Sequence, residues 1–469
     1  MNRRPLVASA ALASAALTVG AALVAPGAAS AHPDPHGASA GSHASAASLG
    51  DAFTTKTPYA PQQNARSYQK PPAGFTAVLT ENVSRHGSRA ISDSDDGDAL
   101  LALLDEATAA HALTPAGRGL ADQVHRVLDA NAAIGYGQLS SRGVDELEGT
   151  AERTAARLPG LFASAARGRG VLVDVSSSSQ QRAHDSAQAY VAGLEGAVPG
   201  LSKVVGATTT DDATLYFHKS DPAYKAYLKD PRIGAAEDAA VDQPRTHAVA
   251  RAALERSFTL SFVARLAAGR LASFGDEVAA AQALYAIVQS SHDLPAEDTR
   301  GLHLDRYLTR SQAAWFGYLD DVTSFYENGP AFAGSDVTYR MADVLLDDMF
   351  ATLEAKRAGT SDLVAKLRFT HAEEIMPLAS LLGLPGATVQ QRTGDLFTYA
   401  NNPFRGAEVA PMAANVQWDL FRKGDRYLVR MLDDEKETAF KASCKPVAKG
   451  STFYDLDELE SCYGWSAGS

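Results

Sequence analysis

The chain has 469 residues, 45% of them hydrophobic and 21% charged, with a formal net charge of −12. That is more than one ordinary core holds, so two packed units, or one core with a large insertion, are predicted. The acidic balance argues against nucleic-acid binding, and any polyanion this chain handles must be met by positive charge gathered in one pocket.

Residues 1–31 read as a secretory signal. Arg3 and Arg4 stand in front, an Ala/Leu/Val-rich run follows, and Ala29-Ser30-Ala31 forms a small-residue end. Cleavage near Ala31, before His32, would release a secreted chain. The run is short and Ala-rich for an anchor, and no later stretch is apolar enough to span a membrane. Residues 32–71 have the composition of a low-complexity linker with little structure, in which His32, His36 and His43 are incidental.

A strand is predicted over residues 75–83, followed directly by Ser84-Arg85-His86-Gly87-Ser88-Arg89. Gly87 lets the backbone turn at the strand end, and an acidic, Ser-rich segment leads into a helix over 98–113. Another amphipathic stretch follows through Val127 and Leu128. Leu139-Ser140-Ser141-Arg142-Gly143 then opens a helix to about 158, with Ser chemistry suited to an N-cap. A second strand, 171–175, ends in four serines and Gln180-Gln181-Arg182, at the start of a helix through Leu194. From 202 to 357 the strand signal fades and helical patterns dominate, notably 248–271, 277–288, 311–326 and 341–353. The third strand, 366–370, runs into His371-Ala372-Glu373-Glu374 and a helix over 375–382. Runs at 415–421 and 427–432, separated by Lys423-Gly424-Asp425, read as an antiparallel hairpin. The tail, 453–462, is expected to be helical. The two cysteines, Cys444 and Cys462, are expected to pair, as is usual in an exported chain.

Three strands thus end in polar groups at helix starts, where ligands bind in open α/β sheets. Together they offer Arg85, His86, Arg89, Arg182, His371 and Glu373. Arginines can neutralise phosphoryl oxygens, an imidazole can attack phosphorus, and a carboxylic acid can protonate the departing alkoxide, with no metal or cofactor required. Taken singly, each group also fits a solvated turn or helix-start charge. His371-Ala372-Glu373 matches the opening of the zinc deaminase signature, but the cysteine half is missing. H-E-x-x-H, a Walker A loop and G-x-S-x-G are absent.

The motif Arg85-His86-Gly87-Ser88-Arg89 with a distant His371-Ala372-Glu373 resembles the histidine acid phosphatase superfamily. His-Ala-Glu, where most members have His-Asp, is similar to its multiple inositol polyphosphate phosphatase (phytase-like) branch. Ser178-Ser179-Gln180-Gln181-Arg182 with Ser186-Ala187 resembles the family's third phosphate-binding segment, and residues 409–415 and 429–436 resemble the branch's C-terminal sheet. Ile91 stands where the family motif has proline. The resemblance implies His86 as nucleophile through a phosphohistidine, Arg85, Arg89, Arg182 and His371 as phosphate ligands, and Glu373 as proton donor. Lys219, Lys225 and Lys229 are candidates for further substrate contacts.

The expectation is an α/β fold, with a mixed-sheet core (72–201 and 358–469) bearing helices on both faces and a mostly helical cap insertion (202–357). Its function is that of a secreted phosphomonoesterase acting on inositol polyphosphates including phytate, with no protein or nucleic-acid partner implied. The alternatives are a broad-specificity histidine acid phosphatase or a non-catalytic secreted polyanion binder. Possession of both His86 and Glu373 argues against the binder, which needs neither a nucleophile nor an acid.

Overall fold

A computed structural model describes residues 52–466. The predicted signal peptide, the first part of the predicted linker and its three histidines lie outside the described residues.

The centre of the fold is β1 (Thr76–Arg85). It pairs in parallel with β4 (Ala365–Thr370), which pairs in parallel with β2 (Val173–Ser177), and β2 with the short β3 (Thr209–Thr210). On its other edge β1 is antiparallel to β5 (Asn415–Lys423), which forms a hairpin with β6 (Arg426–Asp433). β7 (Lys436–Thr438) and β8 (Phe453–Asp455) both pair with β6. The result is a mixed sheet in the order β3-β2-β4-β1-β5-β6-β7.

Alternation along the strands splits the apolar residues between two faces. Leu367, Phe369, Val175 and Phe421 pack on one face with residues of α3 (Ser141–Arg157, below), whereas Val83, Trp418 and Met431 pack on the other with residues of the Asp343–Arg357 and Ala372–Leu382 helices. Helices therefore cover both faces. In chain order after β1 come α1 (Asp95–Ala109), α2 (Leu120–Ile134), α3, α4 (Pro159–Ala165) and, after β2, α5 (Gln181–Ala197).

Register brings the functional ends level. Arg85 lies opposite Thr370, and Ser177 opposite Phe369, so β1, β2 and β4 stop together. The backbone then holds the ends in line, with His86 N donating to Thr370 O (2.9 Å) and Ser178 N to Phe369 O (3.0 Å).

Between β3 and β4 the chain is helical, and the described residues form one compact unit. Two of its helices start on well-formed caps: Asp276 accepts from Val278 N and Ala279 N, and Thr309 forms a capping box with Gln312. Three expectations need correction. The helix predicted over 248–271 is two, Pro244–Leu254 and Leu260–Ala267, because Ser257 O and Thr259 N bond instead to the backbone of Thr114 and Ala112. The tail starts as a strand, β8, before the helix Leu456–Tyr463, because Phe453 and Tyr454 are drawn into pairing with β6. The linker expected to reach residue 71 gains structure by residue 52: Phe53 is fully buried, and Tyr285 Oη and Gln289 Nε2 bond its strap through Ala52 O and Phe53 O. Cys444 and Cys462 form a disulfide.

Candidate active site

The loop after β1 is fixed by α3. A Cβ on Gly87 would lie 2.6 Å from Gly143 Cα, and one on Gly143 would lie 2.2 Å from Ser88 O. Gly87 is therefore needed for close approach to the helix, and its φ is not in the left-handed region that the turn argument assumed. Ser140 caps α3 through Gly143 N, and Glu146 grips the loop through Ser88 N and Oγ, both at 2.8 Å. Ile91, in the position of the motif proline, donates its N–H to Asn131 Oδ1 at 2.8 Å, a bond that proline could not make.

His86 is buried, and its Nδ1 lies 2.9 Å from Gly87 O. A carbonyl only accepts, so Nδ1 carries the proton and Nε2 keeps its lone pair. Burial, together with the charges of Arg85, Arg182, His371 and Arg89, holds the ring's pKa well below the usual histidine value. It is neutral at physiological pH, with the Nε2 lone pair free.

Three arginines converge on this imidazole. Arg85 Nη1 donates to Ala410 O (2.7 Å) and to Thr55 O, and Arg89 Nη1 to Ala90 O (2.7 Å). Arg182, in the first turn of α5, reaches His371 Nδ1 at 3.1 Å. Each of the three keeps a buried Nε–H with no partner among the described residues. Burial, with repulsion from neighbouring arginines, brings Arg85 and Arg89 down to about 10, and burial alone lowers Arg182. Such orphaned donors are costly and suit an anion.

His371 is the N-cap of the Ala372–Leu382 helix, and its ring centroid is 5.4 Å from that of His86. A guanidinium only donates, so Nδ1 accepts from Arg182 and Nε2–H donates to Ser178 Oγ (2.8 Å). Burial first, then Arg182, keeps this ring's pKa low too.

Glu373, half-buried in the first turn of that helix, behaves differently from its neighbour. Burial would raise its pKa, but His218, His371, its own backbone N–H and Arg85 outweigh burial and hold the carboxyl at about 2. Glu374 points elsewhere, onto His218 and Thr370, and is raised by burial.

A neutral imidazole with a free Nε2 among arginines whose Nε–H groups have no partner among the described residues suits an anionic group. A model of the "Histidine phosphatase superfamily (branch 2)" matches residues 81–433. The chain belongs to that superfamily. Among relatives of this phosphatase, multiple inositol polyphosphate phosphatase 1 of Gallus gallus is 25% identical over 347 residues, 70% of each chain. Crystal structures of the Bifidobacterium longum multiple inositol polyphosphate phosphatase superpose closely. Its complex with phosphate gives a TM-score of 0.84 at 31% identity, covering 89% of this chain and 99% of that one. Its complex with inositol hexasulfate gives 0.82 at 31%, covering 88% and 97%.

Of the predicted residues, the fold of this phosphatase brings together Arg85, His86, Arg89, Arg182, His371 and Glu373. Lys219 is exposed and near enough to Glu327 to offset part of the burial that brings that carboxyl to about 7. Lys225 and Lys229 are exposed as well, and no contact with this cluster involves them among those described. Sequence reasoning missed Glu146, His218 and Asp293, a buried acid near Arg89 and Arg85 that burial raises to about 7. Glu146 carried one signal, its position one turn after the Ser-capped start of a helix; His218 carried none.

Proposed function

We propose that this phosphatase hydrolyses inositol polyphosphates, phytate included, through a phosphohistidine on His86. The observation that carries the reading is the set of three buried, unpaired guanidinium Nε–H groups around a neutral His86. The names of the relatives, and the inositol hexasulfate bound to one of them, support the substrate class.

Arg85, Arg89 and Arg182 hold the equatorial oxygens of the phosphoryl group, and His371 steadies Arg182 and the phosphate beside it. His86 Nε2 attacks, the P–N bond forms and the ester P–O bond breaks. Positive charge on the ring is met by the Nδ1–H to Gly87 O bond. Glu373 gives its proton to the leaving alkoxide. Although Glu373 is ionised in the free enzyme, a phosphate dianion among its cationic neighbours offsets the charges that hold it down and raises its proton affinity. In the second step Glu373 takes a proton from water, the oxygen attacks phosphorus, the P–N bond breaks, and phosphate leaves with His86 restored.

Lys219 is the cap lysine best placed for a second substrate phosphate; Lys225 and Lys229 remain more remote candidates. Secretion, with removal of the leader near Ala31, is supported by the leader pattern and by the disulfide. Among the described residues no helix is long and apolar enough to cross a membrane.

The test compares phosphate release from phytate and from p-nitrophenyl phosphate, with inositol products resolved by isomer. Protonation matters most for a poor leaving group, so Glu373→Gln should lose at least about tenfold more kcat on phytate than on the aryl ester. Equal losses at every pH would remove Glu373 from the donor role.

A further inference from the structure

The peptide group joining Gly87 to Ser88 bonds at both ends. Its carbonyl oxygen accepts from His86 Nδ1–H at 2.9 Å, and its N–H donates to Glu146 Oε2 at 2.8 Å. The peptide is trans, so its C=O and N–H point in opposite directions. Imidazole, peptide and carboxylate therefore form one continuous hydrogen-bonded chain behind the nucleophile.

Glu146 lies one turn into α3, with a side chain 7% exposed. Its other oxygen, Oε1, accepts from Ser88 Oγ at 2.8 Å and from Tyr59 N at 3.1 Å, and Arg142 of the same helix adds an ion pair at 3.7 Å. Such a set of donors is the setting of an ionised carboxylate, and it offsets part of the burial that raises this carboxyl's pKa.

The loop is also anchored without Glu146. His86 N donates to Thr370 O (2.9 Å), His86 O accepts from Ala413 N (3.0 Å), and Gly87 N donates to Ser186 Oγ (3.2 Å). What Glu146 adds is negative charge on the far side of the Gly87 carbonyl. A carboxylate that accepts from the peptide N–H polarises the peptide, so the carbonyl becomes a stronger acceptor for the imidazole. The benefit is greatest when Nε2 bonds phosphorus, because the ring is then cationic and still carries its Nδ1 proton.

We propose that Glu146 is a positioning residue that acts through the Gly87–Ser88 peptide, holding the His86 ring for attack and stabilising the positive charge the ring acquires. The inference rests on the phosphohistidine route given above. As the P–N bond forms, the Nε2 lone pair goes to phosphorus and the pair of the breaking P–O bond goes to the leaving oxygen. Nδ1 keeps its proton, and none crosses the peptide. When water later displaces the imidazole, the P–N pair returns to Nε2 and the ring is neutral again. Glu146 therefore favours formation of the phosphoenzyme and gives no help to its breakdown.

Glu146→Gln tests this by keeping the shape and removing the charge. Rapid quench with phytate or p-nitrophenyl phosphate carrying labelled phosphate follows both steps, the arrival of label on His86 and its loss to water. Label should arrive about tenfold more slowly from either substrate and leave at the wild-type rate or faster. In NMR of enzyme with nitrogen-15 histidine, the His86 Nδ1 proton, assigned by its loss in His86→Ala, should move upfield as the carbonyl weakens as an acceptor. Glu146→Asp retains the charge on a shorter arm and should slow arrival only about threefold, with breakdown unchanged. That variant carries the test alone if Glu146→Gln does not fold. Equal slowing of arrival and loss, as a purely structural clamp would give, or arrival at the wild-type rate, would overturn the proposal. If the wild-type enzyme places no label on His86, the phosphohistidine reading itself fails, whatever Glu146 does.

Discussion

The phosphatase contains two sets of buried arginines that share a residue type and differ in almost everything else. At the sheet, Arg368 of β4 bonds Glu81 and Asp348, each at 2.7 Å, and Arg157 of α3 and Arg430 of β6 converge on Asp419 at 3.1 and 2.8 Å. Burial penalises Arg157 and Arg368, but their acidic partners outweigh it and raise both. At the strand ends, Arg85 and Arg89 are equally buried but fall to about 10, since burial outweighs the pull of Glu373 and Asp293, and for Arg89 is reinforced by Arg182 and Arg85. One set is neutralised within the fold, whereas the other is left for an anion to neutralise. A buried cation without a partner costs stability, so its persistence is a mark of function.

The sharpest way to break this distinction is His86→Ala. Loss of the nucleophile should lower turnover by about 10⁴-fold or more while leaving the melting temperature close to wild type, because the ring lies on a loop beyond the sheet. Appreciable activity in a folded variant would refute the phosphohistidine route.

Arg368→Ala probes the neutralised set. It strands Glu81, already raised to about 7 by burial, and should cost on the order of 3–5 kcal/mol in denaturant unfolding while the surviving folded enzyme keeps its kcat. Arg182→Ala probes the other set and should do the reverse. Its kcat/KM should fall roughly 10²–10³-fold on both phytate and the aryl ester, with stability unchanged or slightly higher. If Arg182→Ala unfolds the protein and Arg368→Ala abolishes catalysis, the two sets have been assigned the wrong way round.

Smaller effects sharpen the picture. The Cys444–Cys462 bridge closes a loop with a sequence separation of 18, and replacing both cysteines with serine should cost about 3 kcal/mol by chain entropy. Thiol titration of the denatured, unreduced protein should find no free sulfhydryl. On acidification below about 6.5, the unfolded chain takes up protons that folded His86 and His371 resist, so stability should rise with pH through that range and fall as the solution becomes acidic. Melting curves at pH 7 and pH 5 check the sign, and saturating inorganic phosphate should reduce the difference.

The sheet strands and the site loops were legible in the sequence for a common reason. Each strand that ends at the site is a short apolar run, and each of Arg85, His86, Arg182 and His371 follows one within a few residues, so local pattern and site position coincide. The 415–421 and 427–432 runs with Lys423-Gly424-Asp425 between them likewise announced β5 and β6. What local pattern could not show depends on distant pairing. Ser257 and Thr259 break a helical run because residues 112–114 pass beside them. Phe53 turns a linker into a strap because the helices Glu277–Ser290 and Arg310–Asn328 offer it a place, Tyr285 bonding Ala52 O and Gly317 admitting the Ala52 carbonyl. His218 is invisible for the same reason, since its partner is 156 residues away.

The most direct test of the central claim is chemical trapping on His86. Enzyme mixed rapidly with phytate carrying labelled phosphate, quenched at alkaline pH and digested, should yield one acid-labile phosphopeptide containing residues 85–89, with the label on Nε2 and none in His86→Ala. Rapid turnover with no labelled peptide, or label on a residue other than His86, would contradict it.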